Sequence, residues 1–208
     1  MTAALLTLAD SRLPAGGHTH SGGVEQAIAA RVVRDPGTLA AFLRRRLHTA
    51  GAVAAGLAAA ACGADGAELA RLDAEADART PSPALRAASR AQGRGLVRVG
   101  RRAWSSPSWD DLPDRPHHPL ALGVAAHAGG LTPRDAAAAA AYLSISGPAT
   151  AAQRLLAMDP LTVAALTARL APEIDEVAAV DGLPAAADPL LDLLAEVHSA
   201  RKDRFFAS

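Results

Sequence analysis

DPGTLAAFLRRRL, residues 35 to 47, is the stretch on which the fold turns. Asp35 is a helix cap, and Pro36 stands in the first turn, where its missing N–H is not needed. Leu39, Phe42, Leu43 and Leu47 follow at i, i+3, i+4 and i+8, which is one apolar stripe on a helix. The pattern predicts a helix that runs on to about Ala61, with Gly51 and Gly56 at close crossings. The same start recurs at Thr132–Pro133, Asp159–Pro160 and Asp188–Pro189, while period-two alternation is absent throughout. These signals predict an all-α, single-domain bundle of about nine or ten helices over residues 1–208, with no sheet.

Working outward, residues 2–9 read as a short apolar helix that Asp10 and Ser11 help to end. A second helix spans 23–33, with Val24, Ala27 and Ile28 on one face. A charged helix occupies 66–79, another runs from Ala84 to Arg102, and 103–119 is a long loop holding Trp104 and Trp109. Leu120 to Ala128 ends at Gly129–Gly130. The alanine-rich segment after Pro133 is expected to break at Ser146-Gly147-Pro148 and resume through Gln153. Helices at about 160, 172–180 and 189 onward complete the chain, the last basic at its end.

Half of the 208 residues are apolar but only 3% are aromatic, and alanine fills the long runs. An alanine core lets helices approach closely yet gains little buried area per residue, which suggests burial completed against a partner and so an oligomer. The 21 basic and 21 acidic side chains cancel, so net charge gives no reason to expect nucleic acid or an anionic membrane. One cysteine, Cys62, excludes an intramolecular disulfide and a cysteine zinc cluster. The chain shows no signal-peptide pattern and no membrane-length apolar run, so a cytoplasmic location is expected.

The most tightly specified bend is LADSRLPAGGHTHSGGVE, residues 8–25, where Pro14 and two glycine pairs stand between helices. His18 and His20 offer two imidazoles there, and His117 and His118 two more; each is a pair, not the three or four ligands of a closed metal site. Turn hydrogen bonding or surface exposure is the preferred reading, with nickel or zinc binding at these pairs the weaker one, His18 and His20 being the metal candidates retained. A hydrolase built on His18, His20, Ser21 and Glu25 lacks a nucleophile elbow or other supporting context. There is no phosphate loop, and Gly93-Arg94-Gly95 lies in a helix with no preceding strand, so no nucleotide cofactor is expected. Arg86, Arg90, Arg94 and Arg98 share a helix face; the preferred reading is a hairpin laced to Glu68, Asp73, Glu75 and Asp77, with a nucleic-acid stripe as the alternative. Two of the three phenylalanines, Phe205 and Phe206, stand at the C-terminus, suited to docking on the core or to presentation to a partner.

The bend resembles the signature of the UreF family of urease accessory proteins, an L-P-x-G-G-[FH]-x-[HY]-S-x-G-[LV]-E pattern. The resemblance continues at Leu39, Phe42 and Leu43, at Arg86, Ser89 and Gly93, and at Gln153-Arg154-Leu155. It closes on HSARKDRFFAS, with His198, Arg204, Phe206 and Ser208 in register. It implies a non-enzymatic, all-helical chaperone, dimeric in its complex, that bridges the scaffold protein UreD (also called UreH) and the GTPase UreG and passes nickel to apo-urease. On that resemblance Leu13, Pro14, Gly16, Gly17, His18, Ser21, Gly22 and Glu25 would meet the GTPase. Arg204, Phe205 and Phe206 would be disordered alone and order on the scaffold, with Ser208 also in that contact; residues 1–22 and 199–208 would be partner-binding or mobile segments, and loss of residues 199–208 would abolish that complex. His18 and His20 would lie near the nickel path without being permanent ligands.

Overall fold

The computed structural model describes every residue except 1, 2, 11, 12, 14, 16 and 180, and no side chain is described for His18. Thr2, Ser11, Pro14, Gly16 and Val180, each part of an expectation above, therefore lie outside the described residues. The described chain is helical, without a strand, and runs α1 (Ala3–Ala9), α2 (Val24–Ala29), α3 (Pro36–Arg46), α4 (Ala52–Ala61), α5 (Gly66–Ala78), α6 (Pro83–Ala103), α7 (His118–Ala128), α8 (Pro133–Leu155), α9 (Pro160–Arg169), α10 (Ala171–Ala178) and α11 (Pro189–Ala200). A π turn at Leu47–Gly51 joins α3 to α4 as one rod, so the helix from Pro36 does reach Ala61.

The caps explain the starts. Asp35 Oδ1 accepts from Thr38 N–H at 2.8 Å while Thr38 returns its hydroxyl to the cap, and Thr132 with Asp135 repeats the box. Asp65, Ser82, Asp159 and Asp188 each accept from the first turn of their helices. Leu39, Phe42, Leu43 and Leu47 are all buried, as their spacing requires.

The centre of the molecule is α7, whose residues 119–126 are all buried, clasped by α4, α6 and α8. Alanine serves this packing: a Cβ added at Gly123 would fall 2.4 Å from the Ala58 carbonyl oxygen, so α4 and α7 cross at backbone distance. Trp109 fills the largest aromatic site of the core and donates its indole N–H to the Trp104 carbonyl at 2.8 Å.

Three expectations are corrected. α2 ends at Ala29, where Arg31 takes a left-handed φ of 59°, short of residue 33. α11 stops at Ala200, so the basic residues 201–204 are not helical. The break at Ser146-Gly147-Pro148 does not occur, since α8 runs unbroken to Leu155 with Pro148 inside it. Pro148 has no N–H to give the Ser144 carbonyl four residues back. Arg46 Nε–H donates to that carbonyl instead, at 2.8 Å, and the helix continues past the defect.

Candidate partner-binding site

The bend and the C-terminus, far apart in sequence, lie against each other. Glu25 sits in the first turn of α2, buried, and its carboxylate gathers three donors. Oε1 accepts from Phe205 N–H at 2.9 Å; Oε2 accepts from Phe206 N–H and lies at the same 3.0 Å from His198 Nε2. Burial opposes its ionisation, but His198 and the two amides outweigh burial, so the carboxyl lies below its ordinary range. Beyond it, Ala207 N–H donates to the Thr19 carbonyl at 2.8 Å and Ser21 N–H to the Ser208 carbonyl at 2.5 Å. His20 Nδ1 meets Ser208 Oγ at 2.6 Å, and Arg201 donates to Gln26 Oε1 at 3.1 Å. The last four residues are thus held by Thr19, His20, Ser21 and Glu25 of the same chain, so the expectation that Arg204, Phe205 and Phe206 are disordered without a partner is corrected.

Of the residues singled out, Leu13 and Phe206 are partly buried against the core, Ser21 is fully buried, and Gly17 is exposed. Gly22 takes a left-handed φ of 60°. Pro14 and Gly16 lie outside the described residues, and His18 is placed only by its backbone, in a single 3-10 turn at Gly17–Thr19. Arg204 reaches back to the Ser199 carbonyl at 3.4 Å, and Phe205, 84% exposed, projects outward beside it. The hydrolase alternative finds Ser21 without access to solvent and the Glu25 carboxylate engaged by the tail. Among the described residues, no three His, Cys, Asp or Glu side chains converge as a metal site.

The arginine stripe divides. Arg90 binds Asp73 and Asp77 at 2.9 and 2.8 Å, and Arg86 lies 3.8 Å from Asp77 and donates to the Thr80 and Pro81 carbonyls, so the expected lacing exists for those two acids; Glu68 and Glu75 instead pair with Arg71 and Arg79 along α5 itself. Buried His117 joins it, 2.9 Å from Asp77 and 3.0 Å from Ser89 Oγ. Arg94 and Arg98 are exposed. Gly93 and Gly95 act in packing: a Cβ on either would fall 2.1 Å from a carbonyl oxygen, of Pro116 and of Ala15 respectively. Gly95 thereby lets the bend lie directly on α6.

Sequence reasoning missed what holds the tail. A lone Glu after two glycines gives no sign that it is buried, and nothing local announces His198 as its partner. An acid following a tight bend, with a histidine and aromatic residues at a chain end, is the only available signal.

The helices pack through small residues, and the bend laid on α6 clasps the chain end. Residues 33–171 match the UreF family model. The chain is 53% identical over 216 residues to the urease accessory protein UreF of Mycolicibacterium vanbaalenii, covering 99% of this chain and 98% of that one. It is 53% identical over 206 residues to that of Mycobacterium sp. (strain JLS), covering 98% and 97%. It is 49% identical over 210 residues to that of Mycobacterium tuberculosis, covering 99% and 98%. The chain belongs to the UreF family: it is a urease accessory protein and not itself an enzyme. No described helix is long and apolar enough to cross a membrane.

Proposed function

We propose that this protein bridges the UreD/UreH scaffold protein and the GTPase UreG, as a homodimer within the complex, and so regulates GTP-dependent delivery of nickel to apo-urease. The observation that supports this reading most is the clasp of the C-terminus on the bend through Glu25. The two segments expected to meet partners make one continuous surface, on which Phe205 stands exposed as an apolar anchor. The scaffold contacts Arg204, Phe205, Phe206 and Ser208, and the GTPase contacts the Leu13–Glu25 bend beside them. Nickel passes as cargo near His18 and His20. Because the clasp ties the two contact regions together, occupancy by one partner alters the surface offered to the other.

Size-exclusion chromatography of the full chain with the cognate scaffold and GTPase, with and without GTP and nickel, tests this. The expected result is a complex containing two copies of this chain. Deleting residues 201–208, all beyond α11, removes co-elution with the scaffold while the far-ultraviolet circular dichroism stays nearly unchanged. A full-length chain that elutes alone with every addition overturns the bridging reading. A truncated chain that still co-elutes with the scaffold overturns the role of the tail.

A further inference from the structure

Six arginines stand on α6, and they divide into two sets. Arg86 and Arg90 are laced to acids of α5, and Arg101 binds Asp110 at 2.7 Å while donating to the Trp109 carbonyl at 2.9 Å. Arg94, Arg98 and Arg102 are exposed, and among the described residues none of them meets a carboxylate.

Their places around the helix follow from its turn. Arg90, Gly93 and Arg101 mark the flank covered by the loop after α6: Arg90 donates to the Arg115 carbonyl, Gly93 lies on the Pro116 carbonyl, and Arg101 holds Asp110. Gly95 marks the other flank, where the Ala15 carbonyl of the bend rests. Arg94, Arg98 and Arg102, at i, i+4 and i+8, fill the arc between the two flanks. They form a ridge about 12 Å long beside the bend, at about 1.5 Å of rise per residue.

Like charges four residues apart oppose a helix, and no described carboxylate offsets these three. The helix dipole favours cations in the last turn, which accounts for Arg101 and Arg102 but not for Arg94 and Arg98. An exposed row of this kind is complementary to an acidic surface. Nucleic acid fits it poorly, because exposed Asp110, Asp111 and Asp114 stand in the flanking loop and would oppose a phosphate backbone, and the chain's 21 basic and 21 acidic residues give no basic surplus. A protein surface can set carboxylates on the ridge and keep them off the loop.

We propose that Arg94, Arg98 and Arg102 form the acid-binding edge of the GTPase contact: Asp or Glu side chains of the GTPase dock along the ridge while its neighbouring surface covers the bend. Continuity with the bend at Gly95 selects the GTPase over the scaffold, whose contact is the tail. This assignment rests on the bridging reading above and adds to it the residues that steer the GTPase and the chemistry of what they meet.

Isothermal titration of the full-length protein with the cognate GTPase, with and without the scaffold bound, tests it at about 50 and about 300 mM NaCl. The unaltered protein should bind more weakly at the higher salt. The triple variant Arg94→Gln/Arg98→Gln/Arg102→Gln should bind the GTPase about 30-fold more weakly, at roughly 3-fold per exposed ion pair, and lose most of the salt dependence. Its circular dichroism and its co-elution with the scaffold should stay unchanged. Arg169→Gln, which removes an exposed charge from α9, should change neither affinity nor salt dependence. Salt-independent binding of the GTPase by the unaltered protein overturns the proposal without reference to any variant's folding. So does full-strength binding by a folded triple variant, or an equal loss in Arg169→Gln; the bridging reading survives all three. An unaltered protein that binds no GTPase under any of these conditions overturns the bridging reading and this assignment with it. Binding of a short random DNA duplex as tightly as the GTPase, lost in the triple variant, assigns the ridge to phosphates and overturns the acidic protein surface.

Discussion

Among the described residues two buried histidines, His117 and His198, each meet a carboxylate, with nearly the same chemistry and different consequences; Glu25 is buried with its histidine, whereas Asp77 keeps nearly half of its side chain in solvent. Asp77–His117 ties α5 to the start of α7, and Arg90, Asp73 and Ser89 complete a network that joins three helices. Glu25–His198 ties α2 to α11, but its remaining partners are the amides of Phe205 and Phe206, in an irregular chain end. In the first case every member is fixed by a helix or a short loop that is itself packed. In the second, releasing the amides costs a few hydrogen bonds and returns conformational entropy to eight residues. The hairpin network opens only when the fold opens, whereas the tail clasp can open alone.

The largest effects that would break this comparison come from the hairpin. His117→Ala removes the centre of the network: Ser89 Oγ keeps only the His118 amide, and one oxygen of Asp77 loses its imidazole partner. It should cost about 3 kcal/mol of global stability in denaturant melts, with hydrogen exchange rising across α5, α6 and α7 together. Glu25→Gln places two amide hydrogens near groups that are donors already. It should cost about 1–2 kcal/mol, with faster exchange at Phe205, Phe206 and Ala207 while the α7 amides stay protected. If Glu25→Gln loosens the whole bundle as His117→Ala does, the two pairs are equivalent and the distinction fails.

The pairs should also separate on acidification. Burial first, opposed by Asp77, lowers the pKa of His117, and His118 lies at about 4. Both are bases held neutral by the fold, so below their ordinary value of 6.5 the unfolded chain binds protons that the folded chain does not. Stability therefore falls from about pH 6.5 downward, by at most ~1.4 kcal/mol per pH unit for each such group. Glu25 is the opposite case, an acid whose folded pKa is depressed below 4.5. Its contribution is complete above the unfolded value and is lost as pH falls through the folded one, so the tail amides should deprotect only below about pH 4.5. Thermal melts across pH 4–8, with exchange at Phe205 and Phe206, would show the two windows. Tail release near pH 6.5 would mean that Glu25 does not govern the clasp.

What could be read from the sequence follows the range of the forces involved. Helix starts are local, so Asp35–Pro36, Asp159–Pro160 and Asp188–Pro189 announced themselves, and so did the buried face of α3. Pro148 misled because its rescue is not local: the donor that satisfies Ser144 comes from Arg46, on another helix. The ends of α2 and α11 were misplaced for a related reason, since α2 is stopped by a left-handed Arg31 and α11 gives way to a chain held by Glu25. The bend was legible as a bend, through its glycines, but not as the seat of the C-terminus. No pattern of spacing shows that a single Glu and a single His will be buried together across 173 positions.

The smallest effect, that of Arg94, is set against Arg90 in a test that probes the hairpin from its own surface, along the arginine face of α6. Arg90 is largely buried and shared between Asp73 and Asp77, whereas Arg94, one turn on, is exposed. Removing Arg90 leaves two carboxylates facing each other beside His117, and Arg90→Gln should cost about 1–3 kcal/mol. Arg94→Gln removes a solvated charge from a helix that keeps its neighbours, and should stay within about 0.5 kcal/mol. Equal melts for the two variants would mean that charge on this face acts collectively and not through the hairpin. A large gap would show that a regular i, i+4 stripe hides two kinds of position, separated by whether acidic groups from α5 happen to reach them.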